Sequence, residues 1–351
     1  MEAGTLVRDG SARDELRSGA KLDGAEAPAP RLSIRDLRVG FAAAVGTLDV
    51  LHGVDLDIPA GGTLGIVGES GCGKSVTMLA AMGLLGKRGR ARGSVKLGGE
   101  EILGLPEPDL ERVRGKRMAM IFQDPMSSLN PVHRIGTQIC EALALHRGMN
   151  GANARAEAAR LLDRVGITAA RQRLNDYPHQ FSGGMSQRAM IAMALAGEPD
   201  VLIADEPTTA LDVTIQAQIL LLLRDLQREE GMSIALITHD LGVVAEMAHE
   251  VAVMYCGRVV ERAPARELFR APRHPYTQGL LASLPRFDRA AEALRPIPGA
   301  VPDAARLPPG CAFAPRCPHV EASCGMRVPA LRPASRAHHV ACPFDIARQA
   351  A

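Results

Sequence analysis

Residues 65–75, "GIVGESGCGKS", carry a short apolar run into a glycine-rich turn that closes on Lys74 and Ser75, and a helix-like "VTMLAAMGLL" follows at 76–85. Strand, turn and helix in that order form a phosphate-binding loop. Through Gly68, Ser70, Gly71 and Gly73 the backbone can turn successive N–H groups inward onto a phosphate, and the helix N-terminus adds partial positive charge. Lys74 is placed to reach β and γ oxygens, and Ser75 to ligate magnesium. Val76 stands where a hydroxyl-bearing residue would give one more phosphate contact, but its N–H remains.

Outward from this loop the chain alternates short apolar runs ("LRVGF", "RMAMIF", "VLIAD", "SIALIT", "VAVMYC") with longer helical patterns such as "VTIQAQILLLLRDLQREE". That alternation predicts an α/β domain with a largely parallel central sheet over residues 32–262. Residues 1–31 show no sustained period and read as a disordered leader. Helix-like, Ala- and Arg-rich sequence at about 128–195 reads as an inserted helical subdomain. Residues 263–351 turn rich in Pro, Arg and His and read as a loop-rich C-terminal domain. The basic stretch "GKRGRARG" (86–93) reads as a solvated loop.

Composition excludes several classes. The chain has 351 residues, a formal net charge of +2, 3% aromatic residues and no Trp, which leaves neither the basic footprint nor the stacking platforms of a nucleic-acid binder. No apolar run reaches the ~20 residues of a membrane span, and no signal pattern opens the chain, so a cytoplasmic protein is expected.

"VLIADEP" (201–207) ends an apolar strand in two carboxylates that can divide labour, Asp205 holding the magnesium shell and Glu206 polarising an attacking water. Just before it, "FSGGMSQR" (181–188) sets a Ser hydroxyl and glycine amides at a helix start, a second anion site. Here the chain resembles the ATP-binding-cassette (ABC) ATPases, whose fold is a P-loop NTPase core of RecA-like type. The resemblance implies that Ser182, Gly183, Gly184 and Met185 form a signature turn offered to the nucleotide of a partner subunit. It further implies Gln123 in "IFQDP" near magnesium and the attacking water, Asp212 in "TALD" at the dimer seam, His239 in "ITHD" at the γ-phosphate, and Phe41 stacked on adenine. Met185 departs from the commonest signature without removing a backbone donor.

"IFQDPMSSLNPVHRIGTQI", "DEPTTALDVTIQAQIL" and "HPYTQGLLASLPR" are similar to the ATPases of bacterial dipeptide, oligopeptide and nickel importers. Such a resemblance implies Mg-ATP hydrolysis by a pair of ATPase subunits at the cytoplasmic face of the inner membrane, two permease subunits as partners, and a substrate-binding protein upstream. Soluble cassettes acting on ribosomes or DNA, and an inactive regulatory partner, are the competing classes; the single cassette, weak charge and full set of catalytic residues argue against both.

Seven cysteines occur, and four of them gather near the C-terminus: Cys311, Cys317, Cys324 and Cys342, with five, six and seventeen residues between them. A reducing cytoplasm disfavours disulfides, and structural zinc usually takes pairs two to four residues apart. Four thiolates can hold a [4Fe–4S] cluster, whose loop spacing varies. Zinc and unligated thiols remain open. Some importer ATPases that the chain resembles carry such a cluster in this region.

Overall fold

The computed structural model describes residues 29–44, 46–209, 211–283 and 296–344. The expected leader lies almost wholly outside them. The chain opens with strands β1 (Leu32–Ala42) and β2 (Thr47–Ile58), then β3 (Thr63–Val67), which runs through the glycine-rich turn into helix α1 (Lys74–Ala81). Strands β4 (Gly89–Leu97) and β5 (Glu100–Glu101), helix α2 (Glu107–Val113) and strand β6 (Met118–Ile121) follow. A run of helices comes next: α3 (Pro125–Ser128), α4 (Ile135–Arg147), α5 (Gly151–Arg164), α6 (Ala170–Arg173) and α7 (Gly183–Leu195). The chain then alternates β7 (Val201–Asp205), α8 (Val213–Glu230), β8 (Ser233–Ile237), α9 (Leu241–Met247) and β9 (Glu250–Tyr255). Strand β10 (Arg258–Pro264), helices α10 (Ala265–Arg270) and α11 (Pro275–Ala282), and the short strands β11 (Arg332–Pro333) and β12 (His339–Val340) complete it.

Two sheets result. An antiparallel sheet has the order β2-β1-β4-β5, and an eight-stranded sheet has the order β11-β12-β10-β9-β3-β8-β7-β6, parallel from β9 through β6. Every residue of β3, β7 and β8 is buried. These strands are covered on both faces, which is why their sequences are unbroken apolar runs. Alternate side chains of β7 point into different cores: Leu202 and Ala204 meet helices α4, α5, α7 and α8, whereas Val201 and Ile203 meet α1 and the antiparallel sheet. On α5, Ala154, Ala158, Leu161 and Leu162 recur at helical spacing and are the face it buries.

One expectation needs correction. Residues 86–93 are not a loop throughout, because β4 begins at Gly89 and pairs with β1, Arg90 opposite Gly40 and Arg92 opposite Arg38. The period-two pattern of "RARGSVKL", with Val95 and Leu97 buried and Arg90 and Arg92 exposed, carried that strand; charge density masked it.

The C-terminal segment packs onto the main sheet. Tyr276 is fully buried, its ring 4.6 Å from that of Tyr255 and 5.4 Å from that of Phe313, contacts that add about 0.5–1.5 kcal/mol each beyond area burial. Strand β12 pairs antiparallel with β10, Glu261 opposite Val340. Glu261 and His338 are both 0% exposed, and the Glu261 carboxylate accepts from the backbone N–H groups of Arg273 and His274 and lies 2.6 Å from His338 Nε2. A carboxylate so enclosed requires those partners.

Candidate active site

The site lies where parallel strands end. Within the loop after β3, Gly73 adopts φ 104° as the residue before α1, and a Cβ there would meet Leu51 Cδ2 at 2.6 Å. Gly71, at φ 78°, faces open space. The first allows the tight turn into the helix, and the second leaves room for a polyphosphate against the backbone. The buried Lys74 donates from Nζ to the carbonyls of Gly68 at 2.8 Å and Glu69 at 3.1 Å, which aims its ammonium into the loop. Nothing caps α1 with a side chain, so its first N–H groups stay available to an anion.

Ser75 Oγ donates to Asp205 Oδ1 at 2.9 Å, joining the start of α1 to the end of β7. Burial pushes the Asp205 carboxyl above its ordinary range, with Glu206 adding to the rise and Ser75 and Lys74 opposing it. A hydroxyl and a buried carboxylate side by side are hard oxygen donors of the kind magnesium takes, so these residues fit that ion.

Glu206 follows at once in the left-handed region, φ 48°, with its N–H given to Ile237 O at 2.8 Å. A non-glycine residue held there costs about 1–3 kcal/mol, a strain typical of functional positions. Its carboxylate collects three groups from distant segments: Gln123 Nε2 at 3.0 Å and Thr209 Oγ1 at 2.8 Å donate to Oε2, and His239 Nδ1 lies 3.3 Å from Oε1. Gln123 follows β6, and His239 follows β8 as a largely exposed side chain. Three strand ends therefore converge on one carboxylate.

The other expected residues stand outside this cluster. Ser182 begins α7, its Oγ accepting from Met185 N at 3.4 Å, and Asp212 begins α8, its Oδ1 accepting from Ile215 N at 2.9 Å. The two helix starts adjoin: a Cβ on Gly184 would meet Ile215 Cγ2 at 2.9 Å, and one on Gly183 would lie 3.7 Å from Leu211. Val213, 82% exposed, lies beside them. Phe41, one residue before the end of β1, is half-buried and packed against the core and against Gly89, and Val76 is half-buried in α1.

The four C-terminal thiols share one neighbourhood. Burial pushes Cys342 up to about 11, with the charges of Cys311, Cys317 and Cys324 adding to the rise. Burial likewise raises Cys311 and Cys317. Cys311 N donates to Cys324 O at 2.7 Å, and Cys324 and Cys342 line one cleft of about 410 Å³. Among the described residues, no group of three or more His, Cys, Asp or Glu side chains is arranged to hold a metal ion. Soft donors are thus gathered, but not in a coordinating arrangement.

Sequence reasoning missed Thr209, Tyr276 and Arg316. Thr209 was within reach, three residues beyond Glu206. Tyr276 and Arg316 touch the phosphate loop at Glu69 from more than 200 residues away, and no local pattern announces such a contact.

A family profile described as ABC transporter matches residues 51–209, and one described as Oligopeptide/dipeptide transporter, C-terminal region matches residues 260–324. The oligopeptide transport ATP-binding protein OppD of Salmonella typhimurium is 52% identical over 307 residues, 87% of this chain and 92% of that protein. OppD of Escherichia coli is 52% identical over 298 residues, 85% and 88% of the two chains. Among solved structures, a dimeric post-hydrolysis state of the ATP-binding cassette MJ0796 bound to ADP and Pi aligns with a TM-score of 0.60 at 29% identity, covering 67% of this chain and 99% of that one.

Proposed function

Because the chain belongs to the ATP-binding subunits of ABC transporters of the oligopeptide type, we propose that it is the ATP-hydrolysing motor of a peptide importer. The observation that carries the chemistry is the convergence of Gln123, Thr209 and His239 on Glu206, beside the Ser75–Asp205 pair.

In this reading the loop from Gly68 to Ser75, with Val76, cradles the phosphates through its backbone, and Lys74 swings from the Gly68 and Glu69 carbonyls to the β and γ oxygens. Ser75, Gln123 and Asp205 would hold magnesium, which supplies neutralisation of charge on the transferred phosphoryl group. Glu206 orients water and accepts its proton, with Gln123 and Thr209 fixing the carboxylate and His239 available to the γ-phosphate. Phe41 stacks on the adenine.

Two such subunits close over two nucleotides. Ser182, Gly183, Gly184 and Met185 would reach the partner's nucleotide, and Asp212 would lie at the seam; the adjoining starts of α7 and α8 with the exposed Val213 support this surface. Two permease subunits take up the stroke, and the partner ATPase is a related but different chain. Among the described residues no helix is long and apolar enough to cross a membrane. In the importer reading the chain meets the inner membrane on its cytoplasmic face, through those permeases. Residues 32–262 act as the ATPase domain, with 128–195 as its helical part and 263–351 as the importer-type C-terminal region.

The four cysteines are read as ligands of a [4Fe–4S] cluster, with zinc as the alternative. Support comes from soft-donor chemistry and from the shared thiol neighbourhood, while among the described residues the side chains do not stand in a coordinating arrangement. A count of iron, sulfide and zinc per chain tests it.

The transport reading is tested by uptake. A strain lacking this chain is expected to resist toxic peptides and to regain sensitivity when the gene returns. A growth defect cured only by nickel would replace peptides with a nickel complex as cargo.

A further inference from the structure

Glu69 is a carboxylate inside a loop shaped for a polyanion, and the C-terminal segment holds it at two points. Its backbone N–H donates to Tyr276 Oη at 2.8 Å. Its side chain meets Arg316 in a bidentate pair, Nη1 to Oε2 at 2.7 Å and Nη2 to Oε1 at 2.9 Å. Arg316 occupies a 3-10 turn (Ala314–Arg316) between Cys311 and Cys317, and its side chain is 4% exposed. The guanidinium also donates from Nε to Pro298 O at 3.0 Å and from Nη1 to Tyr255 Oη at 3.3 Å, and it lies 5.9 Å from the ring centres of Tyr255 and Phe313. Burial pushes the Tyr255 hydroxyl up to about 12, so it stays protonated beside this pair.

A buried arginine with its donors engaged on four acceptors is built in, in contrast to a surface ion pair. Its charge falls on the one acidic side chain of the phosphate loop. Unneutralised, that carboxylate would repel the phosphates the loop exists to bind, and the field would act at short range in a partly desolvated place. The carbonyl of Glu69 is meanwhile one of the two that hold Lys74. Movement of Glu69 therefore reaches both the loop amides and the lysine.

We propose that Arg316 is a positioning residue for nucleotide binding, which neutralises Glu69 and fixes the phosphate loop from within the cysteine-bearing segment. The inference rests on the ATPase reading. It makes the order of residues 311–317 a determinant of ATP affinity, although none of them lies in the motifs that touch nucleotide.

The test uses the full-length chain and Mg-ATP, with calorimetric Kd and steady-state kinetics. Arg316→Gln is expected to raise Kd and KM about tenfold while kcat at saturating ATP stays within about twofold, the split expected when ground-state binding alone is lost. Adding Glu69→Gln removes the uncompensated charge and is expected to recover most of the affinity. A purely structural arginine would lower kcat along with affinity and gain nothing from the second change. Unchanged Kd in Arg316→Gln, or a double variant no better than the single, overturns the proposal. If Arg316→Gln does not fold, Glu69→Gln alone decides by hydrogen exchange: faster exchange at 311–317 supports the contact, and unchanged protection removes it. A wild-type chain that fails to bind Mg-ATP would instead overturn the ATPase reading.

Discussion

The catalytic cluster and the thiol segment are held by opposite means. Gln123, Asp205, Glu206 and His239 stand at the ends of parallel strands buried along their whole length, so the sheet itself sets their spacing. Residues 296–344 have little core of their own, Val340 and Cys342 with Phe344 and Ala334 beside them. They rest on the sheet through Phe313 packed against Tyr255 and Tyr276, through β12 paired with β10, and through two buried ion-pair anchors, Arg316 on Glu69 and His338 on Glu261. A site made by sheet geometry tolerates change in a side chain without losing its shape. A segment held in part by buried ion pairs loosens when one charge changes, because the partner loses its counter-charge.

Glu206→Gln examines the first kind of region and has the largest expected effect. The amide keeps the size of the carboxylate and can still accept from Thr209 and Gln123, so ATP binding and thermal stability should persist. Without a proton acceptor, turnover is expected to fall about a thousandfold, roughly 4 kcal/mol of barrier. Phosphate release near the wild-type rate would remove Glu206 from its role and leave the strand-end cluster a structural one.

Acid examines the second kind. His274 is 2% exposed, its Nδ1 accepts from Tyr276 N at 3.1 Å, and burial pushes it down to about 4 against a weaker upward pull from Glu261. The unfolded chain, with histidine near 6.5, binds a proton in the window between 6.5 and 4 that the native chain refuses. Stability from this group is complete above pH 6.5 and declines as pH falls toward 4, by about 2 kcal/mol at pH 5. Thermal unfolding at pH 7 and pH 5 measures it, and His274→Asn, which keeps an acceptor for the Tyr276 N–H, should flatten the difference. Because His274 caps α11, and α11 carries the Tyr276 hydroxyl that receives the Glu69 N–H, protection at 311–317 should fall before that of β7. Simultaneous loss would make the two regions one cooperative unit.

How far the sequence was legible follows the same division. The phosphate loop, "VLIADEP" and "FSGGMSQR" could be read because each joins a local backbone shape to a short run of residues, and the parallel sheet followed from unbroken apolar strands. The antiparallel sheet was obscured where the arginines of β4 hid its alternation. Glu69 with Arg316 and Glu261 with His338 could not be read at all. Each pairs residues 77 or more apart whose approach is decided by packing of α11 and β12 on the main sheet. The cysteines were visible as a cluster in sequence and are neighbours in the fold, yet spacing says nothing of which way a thiol points.

The smallest effect tests whether the two regions communicate. If the thiols hold the proposed [4Fe–4S] cluster, chain purified without oxygen carries about four iron and four sulfide per molecule. Cys317→Ser should abolish them, whereas one zinc and no iron would make the segment a zinc module instead. Loss of one thiol leaves Arg316 with Pro298 O, Tyr255 and both oxygens of Glu69, so its position should loosen without being lost. Cys317→Ser should therefore weaken Mg-ATP binding by only about threefold, less than removal of the guanidinium itself. Binding of Mg-ATP at wild-type strength by the cluster-free variant would mean that Arg316 needs no help from the thiols, and would restrict the link between the regions to a single ion pair. A loss as large as that of Arg316→Gln would mean the reverse: the cluster alone keeps the 3-10 turn in place, and the protein anchors of Arg316 are too weak to hold it.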